Sequence, residues 1–327
     1  VLARHLTVTG PDTMQAQATA LDPPAAGEVI VRVEAAGVSY GDILLRKGVI
    51  PGSPKPPFVP GYDFAGVIEK TGAGVALAPG RAVAALVPTG GYAERIKVSA
   101  DRLVPRPEGA SAVESAAIAL NYFIAYQMLH RVAKVEPGQR VLVHGASGGV
   151  GVAFLQLAQL AGVEAYGSAS AAKLDVVRKY GGIPIDYRAQ DFVQVLHGKP
   201  VDAVFDAIGG SHFNRSSSVL RRGGIMVGYG QSAALVDGKP NMLIGARGFL
   251  GGIVLPKLVP NGKRTTFYNA WSLDDAAYRE DLAIVLGLLA TGKVEPLIAK
   301  TVPLTEAARA QQELEDGTVT GKIVLVP

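Results

Sequence analysis

Between Arg140 and Gly228 the chain alternates short apolar runs with helical segments of roughly ten residues, and this alternation constrains the fold more than any other feature. Arg140 to Ala146 reads as a strand, Val150 to Ala161 as an apolar helix, Glu164 to Gly167 as a strand, Ala171 to Tyr180 as a helix and Ile183 to Tyr187 as a strand. Asp202 to Ala207, Asn214 to Arg221 and Gly224 to Gly228 continue as strand, helix, strand. Strands joined by helices run parallel, because a helical crossover brings the next strand back in the same direction. The expectation is an α/β chain containing a doubly wound parallel sheet.

Outside that stretch the rhythm differs. Glu28 to Ala35, Gly61 to Glu69, Ala82 to Val87, Tyr92 to Val98 and Leu103 to Pro105 read as short strands punctuated by Gly and Pro, which describes an irregular β-rich domain. After about residue 262 the βαβ repeat stops: a helix from Asp274 to Ala290, another from Thr305 to Asp316 and a terminal strand, Lys322 to Val326, read as a return to the first domain. Residues 1–119 and 262–327 are thus expected to form one domain and residues 120–261 a second, inserted in it. With 327 residues, 48% of them hydrophobic, the chain can fill two cores.

Composition excludes several classes. A net charge of +4 is spread among interleaved acids and bases, with no basic run among aromatics, so nucleic acid is not an expected partner. The longest apolar stretches, such as Leu282 to Ala290, are far shorter than the roughly 20 residues of a membrane span. There is no cysteine, hence no disulfide, thiol nucleophile or thiolate metal site. A cytoplasmic location is expected; the chain starts at Val1, so a removed targeting segment stays open.

The run VLVHGASGGVG, residues 141–151, places Ala146, Gly148 and Gly151 at the spacing of a dinucleotide fingerprint, with Ala in the first position. Small residues let the backbone turn tightly, approach a pyrophosphate and pack helix on strand, while the helix N-terminus presents unpaired N–H groups. Ala146, Ser147, Gly148, Gly149, Val150 and Gly151 are therefore candidate cofactor contacts. Residues 165–172, AYGSASAA, lack the acid that would hold ribose hydroxyls in an NAD site. Ser168 and Ser170 can instead donate to a 2′-phosphate, Lys173 adds a cation, and Tyr187 ends the next strand beside them, so NADPH is the expected cofactor. Gly209, Tyr229 and Gln231 follow the fourth and fifth strands, where ligands of such sheets bind.

GVSYGDILLRKG at 37–48, PGYDFAGVIEKTGAGV at 60–75, GGYAERIKV at 90–98 and VLVHGASGGVG at 141–151 together resemble the medium-chain dehydrogenase/reductase superfamily. The similarity runs through to GKIVLVP at 321–327, and LNYFIAY at 120–126 with YGSASAAK at 166–173 places it near the zinc-free quinone oxidoreductases and the synaptic-vesicle membrane protein group. The resemblance implies a GroES-like catalytic domain at both chain ends, a Rossmann domain in the middle and an active site in the cleft. It also implies a homodimer built on edge strands, with Arg247 to Leu255 matching that segment. Asn121 and Tyr122 match residues near the nicotinamide ribose or substrate, and Asn121 is taken as a cofactor contact.

Zinc-dependent relatives carry Cys and His where this chain has Ser39 and Tyr62, neither a usual zinc ligand. The five histidines, His5, His130, His144, His197 and His212, show no ligand spacing, and no metal is expected. A hydride donor without a Lewis acid works best on an acceptor that delocalises the incoming charge, such as a quinone or an α,β-unsaturated carbonyl compound. That predicts an NADPH-dependent reductase of a small-molecule quinone or enone. Ser39 stands where zinc-free relatives usually carry Asn, and either its hydroxyl or that of Tyr40 is the expected catalytic donor. Asp42 reads as a structural acid of that loop, and the proline-rich Ser53 to Pro60 as a stiff wall of the substrate site. Two alternatives stand beside this reading: an enoyl-thioester reductase, and an NADPH-binding protein without turnover.

Overall fold

A computed structural model describes residues 1–258, 262–272 and 274–327. Along the chain come strands β1 (Leu2–Gly10), β2 (Thr13–Ala20) and β3 (Glu28–Val38), helix α1 (Tyr40–Arg46), strands β4 (Asp63–Thr71), β5 (Ala82–Leu86), β6 (Arg95–Ser99) and β7 (Val104–Pro105), and helix α2 (Ala112–Tyr126). There follow β8 (Arg140–His144), α3 (Gly149–Leu160), β9 (Glu164–Ala169), α4 (Leu174–Lys179), β10 (Ile183–Asp186), α5 (Phe192–Val195), β11 (Val201–Asp206), α6 (His212–Ser218) and β12 (Leu220–Gly228). A small hairpin of β13 (Leu235–Val236) and β14 (Lys239–Pro240) precedes α7 (Met242–Phe249) and β15 (Arg264–Phe267). The chain closes with α8 (Asp275–Ala290), β16 (Ile298–Pro303), α9 (Ala307–Glu315) and β17 (Lys322–Val326).

These elements form two compact units, Val1–Phe123 with Trp271–Pro327, and Ile124–Ala270. The boundary expected at residue 261 lies outside the described residues. Residues 264–267, expected in the first domain, instead pair in parallel with β12 and complete the second unit's sheet. Four residues are too few for periodicity to show, so only the pairing reveals this strand.

In the first unit the strand order is β16-β17-β3-β4-β5-β7, with β6 also paired to β3. β3 is the hub, because Val29, Val31 and Val33 alternate with Arg32 and Glu34 and point one apolar face at Phe64, Ile68, Val83, Ile96 and Ile323. β1 and β2 form an antiparallel hairpin that hydropathy alone does not announce, since β2 is almost wholly exposed. The C-terminal β17 pairs with β3, so the last strand of the chain lies beside the first strand of this sheet.

In the second unit six parallel strands are ordered β10-β9-β8-β11-β12-β15. Counted along the sheet's own strands this is 3-2-1-4-5-6, the order of dinucleotide-binding sheets. Helices cover both faces, and accordingly Val141, Leu142 and Val143 and Ala203, Val204 and Phe205 are fully buried without alternation. Phe154 of α3 stacks on Phe205 at 4.2 Å, and each such large apolar side chain contributes about 1.5–3 kcal/mol by leaving water. Arg247 to Leu255, expected as an edge strand, lies in helical backbone running from α7 through Leu250–Val254. The exposed apolar residues Leu243, Leu250, Val254 and Leu258 of this stretch recur at steps of seven, four and four residues, as on one helix face, where an exposed strand would alternate.

A buried ion pair ties the C-terminal β17 to the start of β4 in the first unit. Lys322 Nζ lies 3.0 Å from Asp63 Oδ2, with both side chains almost fully buried, and Gly37 N donates to Oδ1 at 2.9 Å. Burial pushes the Asp63 carboxyl up, and Lys322 opposes that. Lys322→Met should leave a buried carboxylate without its cation and cost about 3–5 kcal/mol in urea unfolding. Adding Asp63→Asn should recover part of that loss; a single variant as stable as the parent would remove the pair from the account of this fold.

Candidate active site

The second unit gathers its candidate residues at the carboxyl ends of the strands. β8 ends at His144 and the chain turns through Gly145 to Gly148 into α3, with Gly148 N bonded to Gly145 O at 3.0 Å and Ala146 N to Ser168 O at 2.9 Å. A side chain on Gly151 would place its Cβ 2.4 Å from Ala146 Cα and Gly145 O, so only glycine lets the first turn of α3 lie this close to the loop. No side chain caps α3, so the N–H groups of its first turn, at Gly149 and Val150, carry the positive end of the helix without a side-chain acceptor. Ser147 is buried in the turn.

The corner beyond β9 brings together three of the four expected phosphate contacts. Lys173 N bonds Ser170 O at 2.8 Å and Tyr187 N bonds Ala169 O at 3.2 Å, which sets Ser170, Lys173 and an exposed Tyr187 side by side. Partial burial lowers the Lys173 ammonium pKa. A side chain on Gly209, which adopts φ +78°, would bring its Cβ within 3.0 Å of Gln231 Cα, and Tyr229 N bonds Asp206 O at 2.9 Å, so the loops after β11 and β12 lie against each other. Tyr229 packs 6.1 Å from Phe154, and burial followed by the Asp206 charge raises its phenol pKa.

Ser168 departs from expectation. Its Oγ lies 2.9 Å from His144 Nδ1 and the residue is only 3% exposed. Beyond it runs a buried chain of contacts: His144 Nε2 to Ser216 Oγ at 3.2 Å, Ser216 Oγ to Asp206 Oδ2 at 2.6 Å, and His212 Nδ1 to the same oxygen at 2.8 Å. Burial raises the Asp206 carboxyl, but the bond from His212 and the nearby imidazoles prevail and bring it to about 2. Burial likewise holds His144 neutral, down to about 3.

The proton positions then follow. Asp206 is a carboxylate and only accepts, so Ser216 spends its proton there; neutral His144 must donate to Ser216 from Nε2; Nδ1 must accept from Ser168. The Ser168 proton is committed inward, so its hydroxyl is not the free donor the sequence suggests. The sequence also reads the histidines as scattered, whereas His144 and His212 meet around Asp206 with donor atoms within 4.8 Å of one another. Parallel pairing of β8 with β11 and the return of α6 over β11 create this cluster, and no spacing in the sequence announces it.

The first unit has its own polar centre. Asp42 is fully buried, and its Oδ2 accepts from Ser39 N and Ser39 Oγ, both at 2.9 Å, and from Tyr92 Oη at 3.0 Å, while Oδ1 accepts from Gly61 N at 3.0 Å. Gly61 adopts φ +104°, and a Cβ there would meet the Tyr92 ring at 2.5 Å. Burial first, then the Asp63 charge, push the Asp42 carboxyl up to about 6 against the bonds from Ser39. Ser39 is also the N-cap of α1, accepting from Asp42 N at 3.2 Å. Its one proton goes to Asp42, so Ser39 positions the loop and is not the free donor expected. Tyr40 is half-buried, and burial together with the Glu315 charge raises its pKa. Asn121 is buried within α2, beside Tyr122, whose hydroxyl donates to Glu295 O at 3.0 Å.

The sequence families that match bear on both units. Residues 25–108 match the alcohol dehydrogenase GroES-like domain and residues 182–325 the zinc-binding dehydrogenase family. The chain is 34% identical over 310 residues to the synaptic vesicle membrane protein VAT-1 homolog of Danio rerio, covering 91% of this chain and 64% of that protein. It is 31% identical to quinone oxidoreductase 1 of Escherichia coli strain K12, covering 97% of each. The crystal structure of Escherichia coli quinone oxidoreductase complexed with NADPH superposes with a TM-score of 0.87 at 28% identity, covering 100% of both chains. The chain belongs to the medium-chain dehydrogenase/reductase superfamily, in its zinc-independent quinone oxidoreductase branch near the VAT-1 homologues. Its first unit is the GroES-like domain and its second the Rossmann domain of that family.

The buried imidazole sets a pH dependence. In the unfolded chain His144 protonates near 6.5, in the fold only near 3, so the unfolded state binds the extra proton and stability falls as pH drops through that window. Relative to neutral pH, the loss at about pH 4.5 should be about 2–3 kcal/mol. His144→Gln keeps a donor and an acceptor but does not titrate, and its urea-unfolding free energy should lose less between the two pH values by that amount. An unaltered pH dependence in the variant would place the titration elsewhere.

Proposed function

We propose that this chain is a zinc-independent, NADPH-dependent reductase that transfers a hydride to quinones or α,β-unsaturated carbonyl compounds. The corner formed by Ser170, Lys173 and Tyr187 carries the cofactor choice: it offers a cation and hydroxyls, and the end of β9 itself carries no acid where a dinucleotide-binding sheet holds the adenosine ribose. The cradle left by Gly151 and the uncapped start of α3 fit a pyrophosphate, so residues Ala146 to Gly151 would hold that group. Gly209, Tyr229, Gln231 and Asn121 are the further contacts of this reading. Bound NADPH supplies the hydride; the protein binds, orients and stabilises.

The identity of residues 39 and 62 supports the acceptor class. Serine and tyrosine at these positions give no usual zinc site, so an acceptor that carries its own charge delocalisation suits the chain better than a simple alcohol or ketone. The name of the Escherichia coli relative, quinone oxidoreductase, and of a Burkholderia relative 30% identical, 2-haloacrylate reductase, fit activated double bonds as acceptors. No helix among the described residues is long and apolar enough to cross a membrane, and a cytoplasmic enzyme is part of the same reading. So is a homodimer, supported by the exposed Leu243, Leu250, Leu255 and Leu258 of the helical segment after β14.

Oxidation of NADPH and of NADH should be followed side by side against 1,4-naphthoquinone, 2-cyclohexenone and crotonyl-coenzyme A. Turnover of the first two with NADPH is the expected result; activity confined to the thioester would favour the enoyl reductase alternative, and none at all a binding protein. Lys173→Ala should lower the ratio of kcat/KM for NADPH to that for NADH by about 10- to 100-fold, as for one charge-assisted hydrogen bond of about 1.5–3 kcal/mol. An unchanged ratio would remove Lys173 from the phosphate site.

A further inference from the structure

We propose that Tyr62 and Trp271 form the acceptor subsite of this enzyme, with the Tyr62 hydroxyl as the hydrogen-bond donor to the acceptor's carbonyl oxygen and the Trp271 ring as the surface on which a planar conjugated acceptor lies. This deepens the reductase reading and rests on it for the reaction, although not for binding.

The protons around Asp42 lead to Tyr62. Ser39 and Tyr92 both direct their hydroxyl protons into the Asp42 carboxylate, at 2.9 and 3.0 Å, and neither can serve an acceptor without abandoning a buried charge. Tyr62 is different. The residue is only 8% exposed, its ring lying against Gly41, where a Cβ would meet Tyr62 Cε2 at 2.8 Å and Ser39 Oγ at 3.5 Å. Its hydroxyl makes no hydrogen bond to any described residue, yet it is not sealed among the buried unsatisfied atoms. A buried ring with an unspent, reachable O–H in a polar centre is a donor waiting for a partner. Burial and the Asp42 charge raise the phenol pKa, which keeps the proton on oxygen through the working pH range.

Trp271 supplies the other half. Its ring centroid lies 5.8 Å from that of Tyr62 at an interplanar angle of 36°, and the residue keeps 38% of its surface exposed although it is the chain's single tryptophan. An exposed indole beside an unspent hydroxyl matches a flat, conjugated molecule that carries an oxygen at its edge.

In the reaction, the acceptor takes a hydride from NADPH at carbon, and its π electrons shift onto the carbonyl oxygen. Tyr62 donates its hydrogen bond to that oxygen as the negative charge grows, in place of a Lewis acid. A proton from solvent completes the product, so that acceptor, NADPH and one proton give reduced acceptor and NADP⁺. The bond strengthens as charge develops and so acts chiefly on the transition state.

Tyr62→Phe keeps the ring packed on Gly41 and Trp271 and removes only the hydroxyl. Its kcat/KM for 2-cyclohexenone should fall about 100-fold, the effect of one oxyanion donor. For 1,4-naphthoquinone, which spreads the charge over a second carbonyl, the fall should be about tenfold, and KM for NADPH should not move. Binding is read separately: 1,4-naphthoquinone should quench the fluorescence of Trp271 saturably without cofactor, with a Kd about tenfold weaker in Tyr62→Phe.

If the parent enzyme turns over both acceptors while the variant matches it in rate and in Kd, the subsite is wrong and the reductase reading stands. If no acceptor is reduced but saturable quenching persists and weakens in the variant, the reductase reading falls and the subsite stands. Absence of saturable quenching in the parent overturns the subsite.

Discussion

The buried carboxylate of Asp42 is the constraint around which the GroES-like unit is arranged. An ionised group in the interior is tolerated only when donors surround it, and Asp42 collects four, from Ser39 twice, Gly61 and Tyr92. Those donors come from the start of α1, the loop entering β4 and the segment ahead of β6, so one acid fixes three stretches far apart in sequence. The cost is visible in its pKa near 6, and the consequence in the hydroxyls: those that satisfy the acid are unavailable for anything else.

Asp206 plays the corresponding part in the Rossmann unit, with the opposite electrostatic outcome. Its Oδ1 receives Ile208 N at 2.8 Å and Gly209 N at 3.1 Å, while its Oδ2 receives Ser216 and His212. Burial alone would raise both acids. Beside Asp206 lie imidazoles that favour the charge; beside Asp42 lies another carboxylate, Asp63, that opposes it. Through His144 and Ser168 the Asp206 network reaches the ends of β8 and β9, so a single polar chain sets the loops that border the dinucleotide turn. Such satisfied networks rigidify a site without entering its chemistry.

Much of this was legible beforehand. The βαβ rhythm between residues 140 and 228, the fingerprint turn and the missing acid after β9 depend on local spacing and residue type, and the parallel sheet, its strand ends and the Ser170–Lys173–Tyr187 corner follow from them. What escaped lies where local pattern is weak: the exposed hairpin of β1 and β2, the four-residue β15, and a helix at Arg247 to Leu255. The partners of the Ser39 and Ser168 hydroxyls were hidden for a shared reason. A serine announces that it has a proton and says nothing about which acceptor lies nearest in the fold.

The amino-acid sequence by itself determined the class of chain, the glycine-rich turn after β8 and the absence of usual zinc ligands at residues 39 and 62, because each depends on the identity of residues close together along the chain. Only the tertiary structure decided how the protons are allotted. Hydrogen bonds between Asp42 and Tyr92, 50 residues apart, or between His144 and Ser216, 72 apart, exist only once the sheets have paired, and they alone tell a committed hydroxyl from an available one.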